Sequence, residues 1–360
     1  MKAVSRHRAA LLAFVWACHD PQASRSSTVA SVAPAAPVDP APARSGPALP
    51  LLLVADVDLP GHAVRFDYAD LDPAKQHLVI AHMNDASVVV VNLDGSVVQV
   101  ISGIPTPRGV IVADDVGRIF VTSSPNRLVI IDNDTLVEVG RVATGKSPDG
   151  VAWDPVHRVV GVSDQGDGAI SLIAEGGSGA RTQLLLGAET GNVVFDPGRS
   201  IFWITTVMDS PPDQLIGVDP TAHRVTQAIA LPGCQGAHGL RLHPDGRSAF
   251  VACEENDQLL RVELAGKHAV AVGRTGTGPD VMSIDAKLGW LYVAAESGDL
   301  SVFDLTRPGV QLLGREHPGS DAHSVAADPV THRAFFPLLK GPKGTPVLRI
   351  MQPSNLAPKK

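Results

Sequence analysis

Seven residues open successive copies of one phrase in this chain of 360 residues, and they are the ones whose types could do chemistry: His62, Arg108, Asp149, Gly191, His238, Asp280 and His323. The steps between them are 46, 41, 42, 47, 42 and 43 residues. Three are imidazoles and two are carboxylates, the ligand types that zinc, copper and iron select when the imidazole is neutral and the carboxylate balances charge. His62, His238, Asp280 and His323 could form a three-histidine or two-histidine-one-carboxylate set for a divalent transition metal. Asp149, Asn192 and Asp280 could instead offer oxygens to calcium. Arg108 is suited to stabilising an oxyanion, and Asp149 or a histidine to acting as base. The same residues also read as polar groups that solvate a water-filled channel, because a step of this length belongs to a fold and not to a local motif such as H-E-x-x-H.

The elements that must position them follow from the phrase itself. It runs Asp149-Gly150-Val151-Ala152-Trp153-Asp154-Pro155, His238-Gly239-Leu240-Arg241-Leu242-His243-Pro244 and His323-Ser324-Val325-Ala326-Ala327-Asp328-Pro329, an apolar strand ending in a turn. In the fifth copy the strands fall at 239–242, 248–253, 258–263 and 269–273, with turn residues in every gap. Seven copies of four strands predict an all-β fold, a seven-bladed β-propeller over residues 51–352. The last copy has three strands and residues 51–59 form an orphan strand, so the N-terminal strand should complete the last blade and close the ring, removing two sheet edges. Closure makes copies five, six, seven and one consecutive, and places the openers at one mouth of the central channel.

Loops between second and third strands should open on that mouth. They read His82-Met83-Asn84-Asp85, Ser163-Asp164-Gln165-Gly166-Asp167, Met208-Asp209-Ser210, Glu254-Glu255-Asn256-Asp257 and Glu296-Ser297-Gly298-Asp299, an acidic crown suited to drawing in cations, though each is also ordinary turn chemistry. His157, His243 and His332 sit in turns on the opposite face and are given no catalytic role. Phe66, Trp153, Phe195 and Leu242 are read as packing between blades.

Segments such as Arg118-Ile119-Phe120-Val121-Thr122, Leu291-Tyr292-Val293-Ala294 and Leu128-Val129-Ile130-Ile131-Asp132 resemble the YVTN repeats of the YncE-like β-propellers, a superfamily similar to propeller lactonases. The resemblance covers residues 51–352. It implies a seven-bladed extracytoplasmic propeller, and from the lactonases a channel cation, but says little about chemistry.

Residues 1–18 carry Lys2, Arg6 and Arg8 ahead of the apolar run Ala9–Ala17, the pattern of a secretory signal peptide. Val15-Trp16-Ala17-Cys18 resembles a bacterial lipobox, which implies lipidation of Cys18 and a lipoprotein on a membrane surface or in the periplasm; plain secretion is the alternative. Residues 19–50 contain 7 Pro, 8 Ala and 5 Ser, the composition of a disordered tether, and 353–360 read as a C-terminal tail. The net charge of -7 argues against a nucleic-acid partner held by bulk charge. With Cys18 lipidated, Cys234 and Cys253 remain, and the hairpin places them close enough for a disulfide; a Cys234/His238/Cys253 soft-metal site is the alternative. No G-x-S-x-G, H-E-x-x-H or phosphate loop occurs. The reading is therefore a binding or scaffold protein that holds a small ligand or protein partner at its channel mouth, with a lactonase-like hydrolase or a copper/zinc-binding propeller as alternatives.

Overall fold

Each repeat contains two strands that are apolar on both faces and a last strand that alternates, and this contrast decides the architecture. In the computed structural model, which describes Leu49 and residues 51–177, 181–210, 212–307 and 309–356, Ser87–Asn92 and Arg118–Ser123 are buried almost throughout. Val137–Ala143, a fourth strand, alternates exposed and half-buried. A strand buried on both faces must lie between two other layers. Seven four-stranded antiparallel sheets satisfy this by standing radially as blades, each pressing one face on either neighbour. The buried apolar side chains form seven clusters, each drawn from two adjacent blades.

The innermost strands are Ala69–Asp72, Pro107–Ala113, Pro148–Asp154, Glu189–Asp196, Ala237–Leu242, Pro279–Asp285 and Ala326–Ala327. They pack against one another around the ring and so line the channel. The fifth blade consists of Ala237–Leu242, Ser248–Cys253, Gln258–Glu263 and His268–Arg274, within two residues of the boundaries expected from turn chemistry. Ring closure is made by Leu51–Asp58, which pairs antiparallel with Val347–Pro353 as the outer strand of blade 7. Arg349 ties the two through bonds of 2.8 and 2.6 Å to Asp56.

The Asp-Pro turns cap the first strands as their chemistry dictates. The Asp154 carboxylate accepts the N–H groups of Val156 and His157, and Asp328 those of Val330 and Thr331. His157 closes its own turn by bonding Asp154 at 2.6 Å, whereas His332 ties its turn to blade 6 by bonding Asp285 at 2.7 Å. Cys234 and Cys253 are joined in a disulfide, so the soft-metal alternative falls, because an oxidised sulfur pair has no thiolate to offer. The expected signal segment with Cys18, nearly all of the tether and residues 357–360 of the tail lie outside the described residues.

Candidate metal and ligand site at the channel mouth

A β-bulge aims each opener of the middle blades. The pairing of first and second strands slips between Pro107 and Val110, Pro148 and Val151, Thr190 and Val193, Ala237 and Leu240, and Pro279 and Met282. The residue inside the bulge is released from the ladder and turned toward the channel. Those residues are Arg108, Asp149, Gly191, His238 and Asp280. Neighbouring first strands then come so close that a Cβ on Gly109 would lie 2.3 Å from the Asp149 carbonyl oxygen, and one on Gly239 2.1 Å from that of Asp280. Hydroxyls of the second strands pin the result: Thr122 donates to the Asp149 carbonyl at 2.6 Å and Thr205 to that of His238 at 2.8 Å.

A cavity of about 270 Å³ opens on this ring and is lined by Arg108, Asp149, His238 and Asp280 together with Arg65, Asp67, Tyr68, Glu254 and Glu296. His238 Nε2 stands between two carboxylates, 3.6 Å from Asp149 Oδ2 and 3.4 Å from Asp280 Oδ1. His323 is fully buried; its Nδ1 donates to the Asp321 carbonyl at 3.1 Å, which leaves Nε2 as the ring nitrogen without a partner. Asp67, Asp280 and His323 present ligand atoms within 4.8 Å of one another. His323 Nε2, Asp280 Oδ1, Asp149 Oδ2 and the Tyr68 hydroxyl are buried without a hydrogen-bond partner. Three such atoms on residues that line one cavity, with that of His323 behind Asp67 and Asp280, depart from the rule that buried polar groups are paired.

The electrostatics reflect this crowding. Burial, then the charges of Asp149 and Asp280, push the Asp67 carboxyl up to about 7. Asp280 is also raised, chiefly by burial. Burial alone would lower His323, yet its bond to Asp321 and the charge of Asp280 outweigh that and lift it to about 9. His238 is raised in the same way, the carboxylates of Asp280 and Asp149 overcoming burial. A positive charge at the centre is what all four shifts favour. A second set, Glu296, Asp321 and His323, also has metal-ligand spacing. It is already occupied, because Arg65 holds Glu296 through two bonds of 2.9 and 2.7 Å and depresses that carboxyl against the effect of burial.

His62 is a correction. Its side chain is 85% exposed, bonds Asp85 at 2.5 Å through Nδ1, and does not line the cavity. The ring position of blade 1 belongs to Asp67, buried at 4%. The sequence contained the signal: the ring residue stands five positions before the Asp of the Asp-Pro turn in Asp149…Asp154-Pro155 and His323…Asp328-Pro329, and Asp67 stands five before Asp72-Pro73. Arg65 and Tyr68 had no repeat-wide counterpart to reveal them. Met83, Gln165, Glu254 and Glu296 come from the loops expected to crown the mouth. Asn192 lies deeper, in a chamber of about 20 Å³ with Asp70 and Arg241, large enough for a single water.

A more open cleft, about 590 Å³, lies at the loops of blades 3 and 4 beside Asp167, Glu189 and Asp209. Asp167 there accepts the Lys146 N–H and a Gln183 amide bond, and Glu189 accepts from Gln165. It is a solvated acidic groove and we assign it no site.

No protein-family model and no curated protein sequence matches the chain. Among solved structures it is similar to Kuenenia stuttgartiensis hydrazine synthase, with a TM-score of 0.68 and 16% identity over 78% of this chain and 96% of that one. It is also similar to virginiamycin B lyase from Staphylococcus aureus, with a TM-score of 0.68 and 12% identity over 83% of this chain and 99% of that one. At these identities the likeness is one of fold, the seven-bladed propeller.

Proposed function

We propose that this chain is an extracytoplasmic binding propeller that holds a divalent transition cation, and a small polar ligand with it, in the mouth of its channel. The observation that carries this reading is the convergence of buried atoms without hydrogen-bond partners, Asp280 Oδ1, Asp149 Oδ2 and the Tyr68 hydroxyl, on one cavity, with the buried His323 imidazole behind it at ligand distance from Asp67 and Asp280. Asp67, Asp280 and His323 would be the ligands, with Asp321 fixing the His323 tautomer through Nδ1. One nitrogen and two carboxylate oxygens suit zinc, manganese or iron and leave positions open for a ligand; an imidazole in the set disfavours calcium. Three protein ligands with an open position are also the arrangement of catalytic metal sites.

The Cys234–Cys253 disulfide supports an oxidising compartment, as do the signal-like first 18 residues and the lipobox-like Cys18, which would anchor the protein to a membrane through lipid alone. The YVTN-like repeats fit the same placement. The test is elemental analysis and manganese or zinc titration of residues 46–360, purified from an oxidising compartment without a His-tag. One equivalent in the wild type, lost in both Asp280→Asn and His323→Ala while circular dichroism stays unchanged, is the expected outcome. A wild type that takes up no cation after reconstitution rejects the reading.

A metal-dependent hydrolase of the lactonase kind is the second reading. One observation favours it: the His238 imidazole stands between Asp149 and Asp280 in the same cavity, where it could move a proton to or from a bound ligand. Turnover in a lactone and ester panel with cation supplied, abolished by His238→Ala, would establish it.

A further inference from the structure

The cavity has a second pole that the cation does not use. Arg108 lines it with a side chain 30% exposed, and donates only through Nη1, to Asp149 Oδ1 at 3.2 Å and to Gln165 Oε1 at 3.3 Å. Its Nε and Nη2 donate to no described residue. Arg65, on the other wall, is by contrast consumed by Glu296. Asp149 and His238 link Arg108 to Asp280 of the cation set along one side of the ring, and on its other side Arg108 neighbours the blade that carries Asp67.

We propose that the ligand of this site is a small carboxylate that bridges the cation and Arg108, and that it binds only when the cation is present; this rests on the cation reading above. A guanidinium edge with two free donors matches the two oxygens of a carboxylate. The lining supplies the order of binding. Asp67, Asp149, Glu254, Asp280 and Glu296 face Arg65, Arg108 and the His238 imidazole, so acid stays in excess and the mouth repels anions until a divalent cation offsets part of that charge. The same excess of acid favours a monoanion over a doubly charged phosphate. A cavity of about 270 Å³ suits a small molecule and excludes a peptide chain.

Coupling of two ligands is reciprocal: if the cation tightens the carboxylate, the carboxylate tightens the cation by the same factor. The experiment is calorimetry on the wild type, Arg108→Met and Arg108→Lys, with Mn²⁺ titrated alone, lactate alone, and each in the presence of the other. Lactamide serves as the uncharged analogue, and the weak Mn²⁺–lactate complex is measured separately. The expected result is that Mn²⁺ tightens lactate at least tenfold in the wild type and that lactamide shows no such gain. Arg108→Met should lose the gain while binding Mn²⁺ at least as tightly, and Arg108→Lys, which keeps the charge but not the fork, should retain only part of it. Mn²⁺ binding with no lactate effect, or an effect equal in lactamide or in Arg108→Met, overturns the carboxylate proposal and leaves the cation reading standing. Absence of Mn²⁺ binding in the wild type removes the cation reading, and the proposal with it.

Discussion

Arg65 stands 4.0 Å from Asp280 and 3.8 Å from Asp321 while it chelates Glu296, which makes it the resident counter-charge of the acidic mouth. Replacing it by Met removes a cation that competes with any metal. Mn²⁺ affinity is expected to rise about tenfold, or about 1.4 kcal/mol, with a loss of thermal stability in the cation-free protein. A titration in which Arg65→Met binds Mn²⁺ more weakly than wild type contradicts this role. Asp164, which does not line the cavity, gives a cleaner reading of buried charge. It accepts bonds from the Gly145 N–H at 2.9 Å and the Ser171 hydroxyl at 2.6 Å, yet burial raises it from 3.8 to about 6. The folded state therefore holds this proton more tightly than the unfolded state. The stability it contributes is complete below the unfolded pKa and is lost as pH rises through about 6. Asp164→Asn should gain on the wild type across that window, by up to about 3 kcal/mol, with no further change at higher pH. Denaturant midpoints at several pH values measure it, and a pH-independent difference would rule it out.

The element that matters most for the site is the bulged first strand, and its tolerance is set by glycine. Gly239 lets the Asp280 backbone approach; a methyl group there would meet the Asp280 carbonyl oxygen at 2.1 Å and Ala252 Cβ at 3.1 Å. Gly239→Ala should cost at least about 1–3 kcal/mol and, by displacing Asp280, weaken cation binding. Gly140→Ala, whose nearest neighbour would be Ile130 at 3.9 Å, is the control that should be nearly neutral. Equal melting temperatures for the two variants would show that the close approach is not required. The disulfide acts on the same blade, since Ala237, beside His238, pairs with Cys253, beside Glu254. With the cysteines at a sequence separation of 19, reducing the bond should cost about 3 kcal/mol in the chain-entropy model. Unfolding with and without reductant tests that figure.

For the whole molecule, closure is the decisive event. Leu51–Asp58 covers the edge of Val347–Pro353, and without it blade 7 is left with three strands and an unpaired apolar edge. A chain starting at Leu59 is expected to lose monodispersity on gel filtration and to melt well below the wild type. A monomer with unchanged melting temperature would mean that the ring is held by blade-to-blade packing alone. The seven interface clusters are similar in kind, so the ring behaves as a series of nearest-neighbour contacts whose ends must meet.

The blade count, the strand boundaries of the fifth copy, the completing strand and the cysteine pair were all legible in the sequence. Each follows from local rules: alternation, turn chemistry and a period near 43 residues imposed by four strands. Arg108, Asp149, His238, Asp280 and His323 were legible for the same reason, because a repeat puts equivalent residues at equivalent places. His62 was not placed correctly, since in blade 1 the irregular stretch before Ala69 shifts the count, and only the Asp72-Pro73 turn marks the true register at Asp67. What needed the tertiary structure is everything that depends on distance between blades. Arg65 reaches Glu296 across 231 residues of sequence, His238 comes to rest between two carboxylates, and Arg108 keeps donors in reserve. Periodicity places a residue on the ring, but only closure determines which side chains face each other across the channel, how much water is left to them, and which polar atoms remain without a partner.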